Sequence, residues 1–117
     1  MAELPPLDEP EISVSQLSIL LTEHPEAVRL VDCREEDEFA FCRIEGAELQ
    51  PLSGFAETGG PALLADESKP VVIYCHHGMR SLQATMFLRQ RGRADTWSLA
   101  GGIDLWSREI DSSVPRY

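Results

Sequence analysis

Cys75 and Arg80 are separated by His76, His77, Gly78 and Met79, and Ser81 follows. These residue types allow three chemistries. Cysteine and histidine are zinc ligands. A cysteine near an arginine and a glycine turn can be a nucleophilic thiolate in an anion cradle. The same residues can also do nothing more than turn a strand into a helix. Zinc would need two or three further ligands at suitable spacing, adjacent histidines do not easily converge on one ion, and no Cys-x-x-Cys occurs. The thiolate reading explains more. A thiol at the carboxyl end of a buried strand meets the unpaired N–H groups and positive dipole end of the following helix. Gly78 lets successive amides converge, Arg80 adds a permanent charge, and Ser81 is placed to cap the helix.

The elements that must position this loop are legible in the periodicities. "PVVIYC" (70–75) is too uniformly apolar to have a wet face and reads as a buried strand. "SLQATMFLRQRG" (81–92) reads as the helix after it, with Leu82, Thr85, Met86 and Leu88 or Arg89 near one flank and Gly92 as a C-cap glycine. Upstream, Ile12 to Val14 is extended, Ser15 caps a helix through about Thr22, and Val28 to Val31 form a strand ending at Asp32. The segment 35–44 gives one or two helical turns closing near Gly46. A short strand and a turn at Pro51 to Gly54 follow, then a short helix at Pro61 to Ala65. "DTWSLAGG" is a last strand with a double-glycine turn, and "IDLWSRE" a last helix. Alternating strands and helices predict an α/β fold, with a mostly parallel sheet covered on both faces and right-handed connections.

The 117 residues fit one domain, 12–117, behind an N-terminal arm, 1–11. A net charge of −10 argues against nucleic-acid or anionic-membrane partners. No stretch approaches the ~20 apolar residues of a membrane span. The acidic, proline-rich start does not read as a targeting peptide, and three cysteines without a disulfide spacing suit a reducing compartment, so a cytoplasmic location is expected.

Four segments together resemble the rhodanese family in its single-domain form: "LVDCREEDEFAFCRIEGA" (30–47), "PVVIYCHHGMRS" (70–81), "FLRQRG" (87–92) and "WSLAGGIDLWSRE" (97–109). The resemblance spans residues 12–117 and implies the three-layer rhodanese fold, with a central sheet of about five strands. It implies a sulfurtransferase of the thiosulfate sulfurtransferase type, in which Cys75 carries sulfane sulfur as a persulfide. The donor would be thiosulfate-like or a protein persulfide; the acceptor a thiol, cyanide or a sulfur-carrier protein. No metal or cofactor is implied. The amides of His76 to Arg80 would cradle the persulfide, and Arg80 would stabilise both the loop and an anionic donor. Related phosphatases and arsenate reductases have Cys-x5-Arg, whereas Cys75 to Arg80 is Cys-x4-Arg, a smaller cradle suited to a single sulfur. A binding or regulatory module that keeps the fold without turnover is the other alternative.

By the same resemblance Asp32 and Arg34 are scaffold for the loop through buried charge pairing. Cys33, between them, should face the other side of the strand and belongs in the core rather than acting as a resolving thiol. The family often has Gly-His-Ile-Pro-Gly-Ala where this chain has Cys42-Arg43-Ile44-Glu45-Gly46-Ala47, and a role for Cys42 as a second redox thiol is the less favoured reading of that residue. His76 and His77 replace basic or small polar residues. At neutral pH they are mostly uncharged, which favours a protein-borne sulfur donor over thiosulfate. Trp106 should be core. The ending "IDSSVPRY" is similar to tails of rhodanese domains fused to enzymes that activate ubiquitin-like sulfur carriers.

Overall fold

The computed structural model describes residues 3–117. Its centre is a five-stranded, wholly parallel sheet in the order β1-β5-β4-β2-β3. The strands are β1 (Glu11–Ile12), β2 (Arg29–Asp32), β3 (Glu48–Leu49), β4 (Val71–Tyr74) and β5 (Thr96–Leu99). Helices α1 (Val14–Glu23), α2 (Glu36–Phe41), α3 (Gly60–Ala65), α4 (Met79–Gln90) and α5 (Gly102–Glu109) connect or follow them.

The side-chain alternation of the two central strands divides the core into two layers. Leu30, Val72 and Tyr74 point to one face, where α1 and α5 bring Leu17, Leu20, Ile103 and Trp106. Val31, Ile73, Cys33 and Cys75 point to the other, where α3 and α4 bring Leu63, Ala84 and Leu88. This is why "VVIY" has no polar position: both of its faces are covered, and all four residues are buried.

Several boundaries differ from the sequence reading. α1 is capped by Ser13, whose hydroxyl accepts from Gln16 N at 3.1 Å, not by Ser15. The extended entry stops at Ile12, and Val14 is already the first helical residue. After α2, Cys42 is extended rather than helical. α4 starts at Met79, its N-cap is Gly78, and Ser81 lies inside the first turn. Its buried face is Ser81, Ala84, Thr85 and Leu88, spaced i, i+3, i+4, i+7, whereas Met86 is exposed. Small residues face the sheet because the helix starts directly under the loop and lies close to β4 and β5; the bulkier Leu82 and Met86 pointed the sequence reading one step round. Gly92, at φ +102, follows the last turn in the left-handed region, as a C-cap glycine does.

Candidate active site

Cys75 is the first residue after β4, and its side chain is buried beneath the loop that leads into α4. Its Sγ accepts backbone hydrogen bonds from Gly78 N at 3.1 Å and Ser81 N at 3.3 Å. These are amides of the N-terminal turn of α4, which have no partner within the helix. Gly78 makes the geometry possible. Its φ is +104°, and a Cβ there would lie 3.2 Å from Gly101 N. Ser81 does not cap the helix. Its hydroxyl donates to Gly78 O at 3.2 Å and pairs with Ser98 Oγ of β5 at 2.7 Å, tying the turn to the sheet.

The loop is held from behind by the double-glycine turn. Ile103 N donates to Cys75 O at 2.9 Å and Asp104 N to His76 O at 3.0 Å, so the start of α5 backs the two loop residues. Gly102 sits at this contact with φ +62, and a Cβ would come within 2.5 Å of Cys75 O and closer still to His76 O.

The surroundings of Cys75 stabilise its thiolate. Hydrogen bonds from the Cys33 thiol, then from Ser81 and from the Gly78 amide, outweigh the opposing effect of burial and lower its pKa from 9.0 to about 5. Cys33 lies where the β2–β4 register puts it. Asp32 pairs with Tyr74, and Cys33 N donates to Tyr74 O at 3.0 Å, so Cys33 stands beside Cys75 on the same face. As expected, it is fully buried core and faces away from Asp32 and Arg34. The hydrogen bond to Cys75 and burial push its own thiol upward. Cys42 is in the opposite core layer.

Arg80 is positioned differently from expectation. Its guanidinium grips Glu38 of α2 through two bonds, 2.7 and 2.9 Å, instead of standing free for an anionic donor. The Arg80 bonds hold the Glu38 carboxylate down to about 2. Glu38 also accepts from Tyr117 Oη at 2.7 Å and closes a reciprocal cap with Glu35 at the start of α2. Sequence reasoning missed both Glu38 and Tyr117. The one signal for Glu38 was the acidic run 35–38, which does not reveal which carboxylate turns inward.

Asp32 and Arg34 form a fully buried ion pair at 2.6 Å and do not touch Cys75. Arg34 also donates to Cys42 O at 2.6 Å and to Tyr117 Oη at 2.8 Å. Tyr117 therefore links this pair to Glu38 and, through it, to Arg80. Its ring also stacks on His76 at 3.9 Å and 7°. Burial and the neighbouring His77 push the His76 imidazole below its ordinary range, so it is neutral at pH 7. Met79, Phe41 and Tyr117 leave large apolar surfaces exposed.

The two adjacent histidines come closer than their spacing implied. They stack at 3.9 Å, and with Asp104 they are the one group among the described residues whose donor atoms could meet a metal ion. Asp104 Oδ1 accepts from Arg116 at 3.1 Å, while Oδ2 lies 3.9 Å from His77 Nε2. A cavity of about 620 Å³ lies at the other end of the sheet, among Ser18, Arg29, Glu48, Trp106 and Val114, and Cys75 does not line it.

A family profile for the rhodanese-like domain matches residues 13–109. The chain belongs to that family. It is 35% identical over 95 residues to the thiosulfate sulfurtransferase GlpE of Shewanella oneidensis, covering 81% of this chain and 89% of GlpE. It is 32% identical to the probable adenylyltransferase/sulfurtransferase MoeZ of Mycobacterium tuberculosis, covering 75% of this chain but only 22% of MoeZ. Among solved structures, a rhodanese-related protein of Thermoplasma volcanium superposes with a TM-score of 0.73 at 30% identity, over 86% of this chain and 92% of that one. The rhodanese-like α/β fold, with a five-stranded parallel sheet, is as the sequence implied. Among the described residues, no helix is long and apolar enough to cross a membrane.

Proposed function

We propose that this rhodanese-like domain is a sulfurtransferase that carries sulfane sulfur on Cys75. The observation that carries the reading is the Cys75 Sγ at the focus of the Gly78 and Ser81 amides, where a thiolate is favoured at neutral pH. The thiolate attacks the sulfane sulfur of a donor. The donor's S–S bond breaks, and sulfite leaves from thiosulfate, or a thiolate leaves from a persulfide. The new terminal sulfur takes the charge. The N-terminal dipole of α4 and the amides of the His76–Arg80 turn stabilise it there. An acceptor thiol or cyanide then attacks that terminal sulfur, and the Cys75 thiolate is the leaving group. Because Arg80 is neutralised by Glu38, its part in this scheme is to hold the loop.

Two features favour a protein-borne donor or acceptor, such as a persulfide or sulfur-carrier protein, over thiosulfate. With Arg80 paired and His76 neutral, little free positive charge faces a small dianion. Met79, Phe41 and Tyr117 offer apolar surface to a macromolecule. The free thiols fit a reducing compartment such as the cytoplasm. Intact mass spectrometry after thiosulfate treatment tests the proposal. A gain of ~32 Da that cyanide removes and Cys75→Ser lacks is expected. A folded protein with no adduct from thiosulfate or from a protein persulfide would leave the binding-module reading. Phosphate release from an aryl phosphate would favour the phosphatase, although an Arg80 tied to Glu38 is poorly placed to clamp phosphate.

A further inference from the structure

We propose that Cys33 is a resolving thiol for Cys75: when a hydroperoxide oxidises Cys75, Cys33 closes a disulfide to it and keeps the site recoverable. Three structural facts carry this. The register Asp32↔Tyr74, continued one step, sets Cys33 and Cys75 side by side just past the ends of two hydrogen-bonded parallel strands. Neighbouring strands run ~4.8 Å apart, within the ~4.4–6.8 Å that Cα atoms need for a disulfide. Both side chains lie in the same core layer, on the face of the sheet covered by α3 and α4.

The chemistry balances with a hydroperoxide as oxidant. The Cys75 thiolate attacks one peroxide oxygen, the O–O bond breaks, and hydroxide (from hydrogen peroxide) leaves and is protonated to water. Cys75 is now a sulfenic acid and no longer carries the negative charge that kept the Cys33 proton in place. Cys33 attacks the Cys75 sulfur, the S–O bond breaks, and the hydroxyl leaves as water with the Cys33 proton. In sum, two thiols lose two electrons and two protons, and the peroxide is reduced. Cys33 needs no access to solvent for this step, which suits its complete burial. Without a resolving partner, the sulfenic acid is open to further, irreversible oxidation.

The inference rests on a reactive Cys75 but not on sulfur transfer, so the two are scored separately. Persulfide loading is measured first on unoxidised protein. A second sample is treated with hydrogen peroxide, alkylated under denaturing conditions and mapped by mass spectrometry. The expected result for wild type is a loss of ~2 Da with the Cys33 and Cys75 peptides linked, reversed by dithiothreitol together with the thiol count. In Cys33→Ser, Cys75 should advance to sulfinic and sulfonic acids, gains of ~32 and ~48 Da, with less than about a tenth of the thiol recovered. Should Cys33→Ser not fold, Cys33→Ala and the linked peptide of wild type still decide the matter. Sulfinic acid on wild-type Cys75 without a linked peptide overturns the proposal, and so does a link from Cys75 to Cys42. Failure of persulfide loading alongside a Cys33–Cys75 link would sink sulfur transfer and leave the resolving thiol standing.

Discussion

The ionisation of Cys75 offers the sharpest test of the site. Between the ordinary 9.0 and about 5 lie four decades in acid constant, about 5 kcal/mol in favour of the thiolate. At pH 7 this means ~99% thiolate instead of ~1%, a ~100-fold gain in the reactive form. Intrinsic nucleophilicity, however, falls with pKa with a Brønsted coefficient of ~0.4–0.5, which removes ~40- to 100-fold of that gain. The two effects nearly cancel. An alkylation rate at pH 7 would therefore look like that of any cysteine, and only the pH profile is diagnostic.

The assay is the ultraviolet thiolate absorbance of wild type minus that of Cys75→Ser, titrated from pH 4 to 10. A midpoint near 5 is expected. Replacing Cys33 by alanine removes the largest stabilising contact. A hydrogen bond to a charged acceptor contributes about 1.5–3 kcal/mol, so the midpoint should rise by ~1–2 pH units. Cys33→Ser keeps a donor and should shift it less. A wild-type midpoint above ~8, or one that Cys33→Ala leaves in place, would refute the reasoning that hydrogen bonds from Cys33 and the loop amides set the thiolate.

The remaining predictions concern the scaffold. Gly102→Ala forces a Cβ against the carbonyl oxygens of Cys75 and His76 at a positive φ, and should cost about 2–4 kcal/mol, visible as a large drop in Tm; an unchanged Tm would mean the two elements are not in contact. Glu38→Gln and Arg80→Ala should each lower the persulfide-loading rate, and their stability costs should fail to add by ~0.5–3 kcal/mol in a double-mutant cycle; strict additivity would break the pairing. The Glu38 carboxylate is held below its unfolded value of 4.5, so its contribution to stability is present above pH 4.5 and is lost as pH falls through about 2; the acid decline of Tm over that window should be shallower in Glu38→Gln. Tyr117→Phe removes the hydroxyl that bridges Arg34 and Glu38 but keeps the stack on His76, and should lower the urea midpoint by an amount equal to about 1 kcal/mol.

What could be read from the sequence, and what could not, divides along a physical line. "PVVIYC" was legible because a strand covered on both faces has no polar position, and the Cys75–Arg80 loop because its spacing and its glycine sit at a strand-to-helix turn. Those are local properties of the chain. Arg80's partner was not legible, because four consecutive acids precede Phe39 and only the packing of α2 against the loop selects Glu38. Tyr117 was hidden for the same reason: its contacts to Arg34, Glu38 and His76 reach back across 83, 79 and 41 positions. Ser81 looked like a cap because serine commonly is one, yet the positive φ at Gly78 starts the helix three residues earlier and turns that hydroxyl toward Ser98. Cys33 lies on the boundary between the two kinds of information. Alternation along β2 alone sent it away from Asp32 and Arg34. Cys75 could be seen as its neighbour only once β2 and β4 were paired and in register. One residue of slip would have set Cys75 beside a different residue and removed a thiol donor from the thiolate. The ionisation of the nucleophile, and the redox chemistry that follows from it, therefore depend on a strand register that no local motif records.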